Sequence, residues 1–295
     1  MLAVGLSQCD APADSTQTTN QPTPEAFGYD LEKPDRAFKL SGKLREISGL
    51  GLTSDGRFLL ANNDEEGKIF FLDKQSGEID HHIKFHKSGD YEGIEMVGDT
   101  IFIVKSTGTL YAFPARGQSE KDTRTIQNHL SGENDVEGLG YDPANRRLLL
   151  ACKGDPGKGA QLRRKRAIYA FDLRTWQLSD APVFTIDRDA IRQFAQTHSN
   201  RLEKFLEAFA PESAAAAFAP SGVAVHPETG EIYVLASVGK LLVVLTPEGD
   251  LRHIQPLDKD RFPQPEGICF EPDGTLWISS EGRHKNARLY AFRPL

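Results

Sequence analysis

Cysteine is scarce in this sequence, with three residues among 295. No Cys-x-x-Cys pair and no cysteine–histidine cluster with zinc spacing occurs, which argues against a structural zinc centre. Cys152 and Cys269 each stand inside an apolar run. Because free cysteine behaves as a small apolar residue, both are predicted to be buried free thiols.

The chain also lacks an excess of positive charge and a long apolar stretch. Residues 1–35 carry a net charge of −5 and the remaining residues −2, out of −7 for the whole chain. Without a basic surface the chain is not expected to bind nucleic acid. No stretch approaches the roughly 20 apolar residues that a membrane-spanning helix needs. Any membrane association must therefore depend on something other than a spanning helix.

The first nine residues resemble the end of a bacterial lipoprotein signal. Leu6, Ser7 and Gln8 precede Cys9, where such signals are cleaved and the cysteine receives its lipid. Gln8 stands where these signals prefer Gly or Ala, and the apolar run is short and lacks basic residues, so residues 1–9 are predicted to be a truncated signal remnant. We therefore expect lipidation at Cys9 and a place on the periplasmic side of the cell envelope, with membrane contact through the lipid anchor only. The alternative is a disordered cytosolic terminus with a chance cysteine.

A polar segment follows, rich in Ser, Thr, Gln, Pro and Ala. This composition buries too little apolar surface to fold alone, so residues 10–35 are predicted to be a disordered linker. As a flexible chain it would hold the body roughly 25–30 Å from the anchor. Residues 36–295 are predicted to form a single domain.

An internal repeat organises that domain. Five segments align on a glycine, and the glycines are separated by 44, 45, 84 and 45 residues. The long interval contains an additional segment, and removing about 40 residues restores the period. The five segments are EISGLGL (Glu46–Leu52), DYEGIEM (Asp90–Met96), DVEGLGY (Asp135–Tyr141), APSGVAV (Ala219–Val225) and QPEGICF (Gln264–Phe270), aligned on Gly49, Gly93, Gly138, Gly222 and Gly267.

Each repeat contains short apolar strands between turns rich in Gly, Asp, Asn and Pro. Such strands indicate antiparallel all-β structure, and a period of about 44 residues is typical of a four-stranded propeller blade. Five periods fill residues 36–295 once the additional segment is set aside, so an all-β, five-bladed β-propeller is predicted. Six blades is the alternative, if that segment hides a degenerate repeat. The spare strand Arg36–Leu40 is predicted to pair into the last blade, which would leave no open edge.

The additional segment, near residues 187–218, has helical periodicity. Pro211 ends the pattern. A helix or helical hairpin on one face of the propeller is predicted, either as packing decoration or as a lid over the channel. The apolar residues at helical spacing are Ile191, Phe194, Leu202, Phe205, Leu206 and Phe209.

Acidic residues recur at the start of four of the five repeats, where the innermost strands of a propeller surround its axial channel. Crowded carboxylates raise one another's pKa and cost stability unless a cation or hydrogen bonds compensate. Hard oxygen ligands without sulfur or imidazole suit Ca²⁺, which we predict as a bound cofactor. The alternative is that each Glu-Gly is only a turn signal whose carboxylate faces channel water. The predicted metal ligands are Glu92, Glu137, Glu266, Asp90, Asp135 and Glu46, and Ser48 and Ser221 are predicted to bind ligand at the equivalent positions.

A second ring of polar residues is predicted where the second strand of each repeat ends, near the same channel mouth. Next to it, residues 153–166 (KGDPGKGAQLRRKR) place six bases in one loop. This loop does not match a P-loop, because no Gly-Lys-Ser/Thr opens a helix. It is either a site for phosphate or anionic headgroups or a solvated loop. The second ring, predicted to bind ligand, consists of Asn63, Lys105, Lys153, Ser237, Ser280 and Glu281.

The repeats resemble a known family. In order, DYEGIEMVGD, DVEGLGYDPANRRLLLACK, PSGVAVHPETGEIYVLAS and QPEGICFEPDGTLWISSE resemble the SdiA-regulated family of bacterial envelope proteins, also called the YjiK/CarP type. The resemblance covers residues 37–295. It implies a β-propeller, a membrane-anchored or periplasmic setting and, for one branch, a role in calcium homeostasis. It implies no settled catalytic activity.

A fainter likeness is to propeller hydrolases. The gluconolactonase and senescence-marker class begins a blade with Glu-Gly and uses that glutamate on an axial metal, and propeller phytases bind several calcium ions. In such an enzyme a metal on the three axial glutamates would polarise an ester or phosphoryl oxygen and activate water. Lys105 and Lys153 would stabilise the developing anion, and Asp90 or Asp135 would serve as base.

The predicted function is therefore that of a calcium-associated binding or homeostasis protein of the envelope. A calcium-dependent esterase or phosphoesterase is the first alternative, and a metal-free interaction scaffold is the second. The expected partners are a small anionic ligand or another envelope protein, and the protein is expected to be a monomer.

Overall fold

Five small antiparallel sheets arranged as a ring account for most of the chain. The computed structural model describes Met1 and residues 27–162, 164–198, 200–209 and 218–295. Cys9 and residues 10–26 of the predicted linker lie outside the described residues, so the predictions on them are not tested.

Each sheet is one blade, and in the first four blades the strands follow the chain from the axis outward. The first blade comprises β2 (Ile47–Leu52), β3 (Phe58–Asn63), β4 (Lys68–Asp73) and β5 (Ile79–Lys84). The second comprises β6 (Tyr91–Val97), β7 (Thr100–Lys105), β8 (Leu110–Pro114) and β9 (Arg124–Ile126). The third comprises β10 (Val136–Asp142), β11 (Arg147–Cys152), β12 (Lys165–Asp172) and two short strands that both pair with β12, β13 (Gln177–Leu178) and β14 (Phe184–Asp187). The fourth comprises β15 (Ala219–Val225), β16 (Ile232–Val238), β17 (Leu241–Leu245) and β18 (Leu251–Pro256).

The fifth blade joins the two ends of the domain. Its strands, from the axis outward, are β19 (Pro265–Phe270), β20 (Leu276–Ser280), β21 (Arg288–Phe292) and β1 (Arg36–Lys39). β1 pairs antiparallel with β21, with Phe38 opposite Leu289. The structure thus confirms both the five blades and the ring closure predicted from the sequence.

Glycine allows the five innermost strands to approach one another around the axis. A Cβ added to Gly49 would lie 2.7 Å from the amide nitrogen of Ile94, and one added to Gly222 would lie 2.5 Å from the carbonyl oxygen of Glu266. Real Cβ atoms essentially never come this close to backbone. The same relation continues around the ring, because Gly93 faces β10, Gly138 faces β15 and Gly267 faces β2. The repeated glycine is therefore required by the close packing of each blade on the next.

Apolar side chains form buried clusters that join neighbouring blades. Cys152 and Cys269 belong to two of these clusters, and both are free and buried, as predicted. Burial raises the pKa of the Cys152 thiol to about 12. Both cysteines therefore act as core residues.

The end of the predicted linker packs on the propeller. Tyr29 and Leu31 are buried with the side chains of the fourth and fifth blades. The Tyr29 hydroxyl donates to the carbonyl of Gly274 at 2.7 Å and lies 2.9 Å from Nε2 of His226. Residues 27–35 are thus ordered parts of the domain, which corrects the predicted linker boundary. Their large apolar side chains are the physical reason.

The additional segment folds, over its described part, into α1 (Arg188–His198) and α2 (Asn200–Phe209). Both helices contact β18, and α1 also contacts β14, so they lie against outer strands of the third and fourth blades. Ile191, Ala195 and Leu202 are buried in this contact. The helical insert is confirmed, and its described part packs at the outer rim. In the described part of the chain, no helix has the length and apolar character needed to cross a membrane.

Candidate functional site at the propeller axis

Every innermost strand has a register shift at or next to its aligned glycine. In β6 the pairing jumps from Tyr91 to Gly93, so Glu92 has no partner in the ladder. In β10 it jumps from Val136 to Gly138, which leaves out Glu137. The shifts in β2, β15 and β19 include Ser48, Ser221 and Glu266. Because a bulge changes the direction of a side chain, each Ser-Gly or Glu-Gly pair turns the Ser or Glu side chain away from the regular positions of the sheet.

These five bulge residues meet at the axis. They line one small cavity together with the aligned glycines and the residues that follow them. Each of the three glutamates is only 8 or 9 % exposed. The cavity has a volume of about 10 Å³, and a single water molecule needs roughly that much space. The axis therefore has room for about one water or one ion.

The axial glutamates have strongly perturbed acidity. Burial raises the pKa of Glu92 far above its usual range, and the charges of Glu137, Asp90 and Glu266 add to this shift. Burial also raises the pKa of Glu266 well above its usual range, and the charge of Glu137 acts in the same direction. Burial and the neighbouring carboxyl groups thus make it unfavourable for all three glutamates to be ionised at once.

Lys153 provides the compensating charge. Its Nζ lies 2.9 Å from Oε1 of Glu137, and about one third of the lysine side chain is exposed. Burial raises the pKa of Glu137, as do the charges of Asp135 and Asp90, and this ion pair opposes the rise without abolishing it. For the lysine, burial acts to lower the pKa, but attraction to Glu137 outweighs it and the pKa is raised. The ion pair thus favours the charged forms of both Glu137 and Lys153, against the effect of burial.

The acids two positions further back are more exposed than the three glutamates, although the Asp90 side chain is hydrogen-bonded to that of Glu92. Asp90, Asp135 and Glu46 precede their strands, so they stand on loops at the mouth rather than on the axis. Asp90 is exposed and accepts a hydrogen bond from the Ser106 hydroxyl. Asp135 is partly exposed, in the left-handed region at φ 49°. The six predicted metal ligands therefore divide into three buried residues and three residues at the rim.

Glu46 belongs to a second acidic group at the rim. It raises the pKa of Asp64 and of Glu281, although burial is the larger cause for both. The pKa of Asp64 reaches about 6. Across the described residues, no three His, Cys, Asp or Glu side chains are arranged to hold one metal ion. The predicted calcium centre is thus not preformed.

The second predicted ring combines two neighbouring register positions, because Asn63, Lys105 and Ser280 pair one residue before the position that Lys153 and Glu281 take. Lys105 pairs with Tyr91, and the residue that pairs at the equivalent place in the third blade is Cys152, not Lys153. A shift of one residue turns a side chain to the other side of a strand. Lys153 accordingly reaches Glu137, whereas Lys105 has its ammonium 5.9 Å from the ring centroid of Tyr91.

The other members of that ring mainly hold their own loops. The amide group of Asn63 donates to the carbonyl of Lys43 at 3.0 Å. The hydroxyl of Ser280 accepts the N–H of Gln264 at 3.1 Å. Ser237 is buried, and its carbonyl accepts a hydrogen bond from the ammonium of Lys240.

Two rim residues, Asp64 and Ser106, were not among the site residues predicted from the sequence. Counting along each ladder from the bulge gives the equivalent positions that face the mouth: Asp64, Ser106, Lys153, Ser237 and Glu281. The sequence signal for them is the bulge itself, because a glycine inside a strand pattern indicates one.

The five blades, the closure by β1 and the polar ring at the axis define a β-propeller with its candidate site at the channel mouth. The family model described as SdiA-regulated matches residues 28–293. The chain therefore belongs to the SdiA-regulated family, as its repeats had indicated.

Solved structures with the same fold are similar at low sequence identity. A luciferin-regenerating enzyme is 14% identical with a TM-score of 0.51, and the match covers 89% of this chain and 96% of that one. A gluconolactonase from Xanthomonas campestris is 13% identical with a TM-score of 0.51, covering 84% and 72%. An aldose sugar dehydrogenase from Streptomyces coelicolor is 12% identical with a TM-score of 0.50, covering 88% and 97%. Their named activities differ, so the likeness supports the fold and transfers no chemistry.

Proposed function

We propose that this protein binds Ca²⁺ at the axial mouth and acts in the bacterial envelope as a calcium-binding or homeostasis protein. The observation that carries the proposal is the set of three buried glutamates at equivalent bulges, with Lys153 as their paired cation. Burying carboxylates without full compensation costs stability. The same destabilising arrangement occurs in three blades, which indicates that the carboxyl groups serve a function. A divalent cation bound between them would offset the loss of stability.

The chemistry of the residues fits calcium. Glu92, Glu137 and Glu266 bring carboxyl groups to the cavity, and Ser48 and Ser221 line it with them, the Ser221 hydroxyl donating to the carbonyl of Pro265 at 2.7 Å. Ca²⁺ prefers six to eight oxygen ligands and tolerates irregular geometry. Glu137 is engaged by Lys153. Binding would therefore require local side-chain movement, consistent with a site that is not preformed.

The size of the cavity favours binding over hydrolysis. A pocket for a small organic ligand usually has a volume of roughly 300–1,000 Å³. The axial cavity, at about 10 Å³, is far smaller. An ester or phosphoester could not place its reacting atom between the axial glutamates without a large opening of the ring.

The envelope location rests on Cys9 and on where the chain enters the fold. Tyr29 contacts the turns that follow β15 and β19, whereas the axial glutamates lie near the starts of the innermost strands. The described chain therefore begins its contact with the propeller at the end opposite the mouth. We expect Cys9→Ala to move the protein from the membrane fraction to the soluble periplasm, and an unchanged distribution would contradict the anchor.

Calcium titration of the metal-stripped full chain tests the proposal. We expect saturable binding of about one ion, weakened at least about tenfold in Glu137→Gln because a carboxylate ligand is lost. Glu78→Gln is the matched control, since Glu78 is an exposed glutamate on the first blade. Absence of binding in the wild-type chain, or equal affinity in wild type and Glu137→Gln, would overturn the proposal.

A further inference from the structure

Lys153 occupies a special place in the ring of rim residues. At the five equivalent positions the other side chains are Asp64, Ser106, Ser237 and Glu281, so Lys153 is the basic member of the set. Its ammonium contacts Glu137, one of the three buried glutamates. A positive charge thus already stands where an incoming cation would have to bind.

The backbone of Lys153 is fixed by a hydrogen bond, whereas its side chain is only partly buried. Its N–H donates to the carbonyl of Asp135 at 2.8 Å, which fixes the start of the side chain at the mouth. The side chain itself is about one third exposed. Lysine has a long flexible stem with a compact charge at its end. The ammonium can therefore leave Glu137 for solvent or for the nearby carboxylate of Asp135 without movement of the strand.

We infer that Lys153 is a tethered cation that competes with Ca²⁺ for Glu137 and so sets the calcium affinity of the axial site. This inference rests on the proposed function. Without calcium the ammonium holds Glu137 and limits repulsion among the axial glutamates. When calcium binds, it takes Glu137 and the ammonium withdraws to the mouth. At Glu137 the calcium ion thus takes the place of the ammonium.

The first test compares calcium titrations of the full-length wild type, Lys153→Met and Lys105→Met. Lys105 is the matched control, because it is a lysine at the same end of the second blade whose ammonium lies beside Tyr91. We expect Lys153→Met to tighten calcium binding at least about tenfold and Lys105→Met to change it less than about threefold, since only the first removes a charge in contact with the site. Lys153→Arg should remain close to wild type.

A second test does not depend on a variant that might fold poorly. Wild-type protein is acetylated briefly with an amine-reactive ester, with and without calcium, and lysine modification is measured by mass spectrometry. We expect calcium to increase modification of Lys153 severalfold and to leave that of Lys105 unchanged. If Lys153→Met does not fold, this labelling decides the question.

The outcomes separate this inference from the proposed function. If neither the wild type nor Lys153→Met binds calcium, the proposed function is wrong. If the wild type binds but Lys153→Met binds equally or more weakly, the site stands and the tethered cation is wrong. Equal tightening by Lys105→Met, or labelling of Lys153 that does not respond to calcium, would also overturn it.

Discussion

The two ends of the innermost strands are built in opposite ways. At the mouth, Glu92, Glu137 and Glu266 bring three carboxyl groups together in a buried site, where burial disfavours their charged forms. At the opposite end, Tyr29 packs with the aromatic side chains of the fourth and fifth blades, where the ring centroids of Tyr233 and Phe270 are 5.0 Å apart. The packing at the aromatic end stabilises the fold, whereas the crowded carboxyl groups at the mouth destabilise it. Local destabilisation of this kind is expected at a functional site.

The largest expected effect is at the aromatic end. We expect Tyr29→Ala to lower the free energy of unfolding by about 3–5 kcal/mol, because it empties a buried aromatic position and removes two polar contacts. Chemical denaturation measures the loss. Calcium affinity should be unchanged, and a parallel loss of affinity would show that the two ends are not independent. Tyr29→Phe, which keeps the ring, should lose only about 1–2 kcal/mol.

A second prediction concerns Glu95, which lies between the two ends on β6. Burial raises its pKa to about 7, although its carboxylate accepts the N–H groups of Met96 and Tyr141 at 2.9 and 3.1 Å. The folded state therefore keeps a proton that the unfolded state loses near its ordinary value, and stability should fall as pH rises from about 4.5 to about 7. We expect Glu95→Gln to reduce this slope by up to about 1.4 kcal/mol per pH unit. Denaturation curves across this range measure the slope, and an unchanged slope would contradict the assignment.

The smallest expected effect on stability is at the mouth, and it has the opposite sign. Without calcium, Glu266→Gln should raise the free energy of unfolding at pH 8 by about 1 kcal/mol, because it removes a buried carboxyl from a crowded group. The same change should weaken calcium binding. Glu78→Gln should alter neither property. A clear loss of stability in Glu266→Gln would mean that the acid is a packing residue rather than a functional one.

Much of the fold could be predicted because the repeat is local. Five copies of a strand–turn pattern with glycine at one fixed position specify blades, and the spare strand before Glu46 specifies the closure. The second ring was misaligned because the place where a second strand ends is not set by a constant spacing. Two residues separate β6 from β7, whereas four separate β10 from β11. Residues 27–35 were assigned to the linker because their few apolar side chains fill a tertiary gap that a local pattern cannot reveal.

The site was harder to predict than the fold for a related reason. The convergence of Ser48, Glu92, Glu137, Ser221 and Glu266 follows from the symmetry of the propeller. The ion pair of Lys153 with Glu137 depends on the direction in which the residue after β11 points its side chain. Charge alone would have treated Lys105 and Lys153 alike.

A crystal structure of the full chain grown with saturating calcium tests the central claim most directly. We predict one calcium ion at the axis, with oxygens of Glu92, Glu137 and Glu266 at about 2.3–2.6 Å and the ammonium of Lys153 withdrawn from Glu137. An axis without calcium under these conditions, with the Lys153–Glu137 pair still intact, would contradict the account.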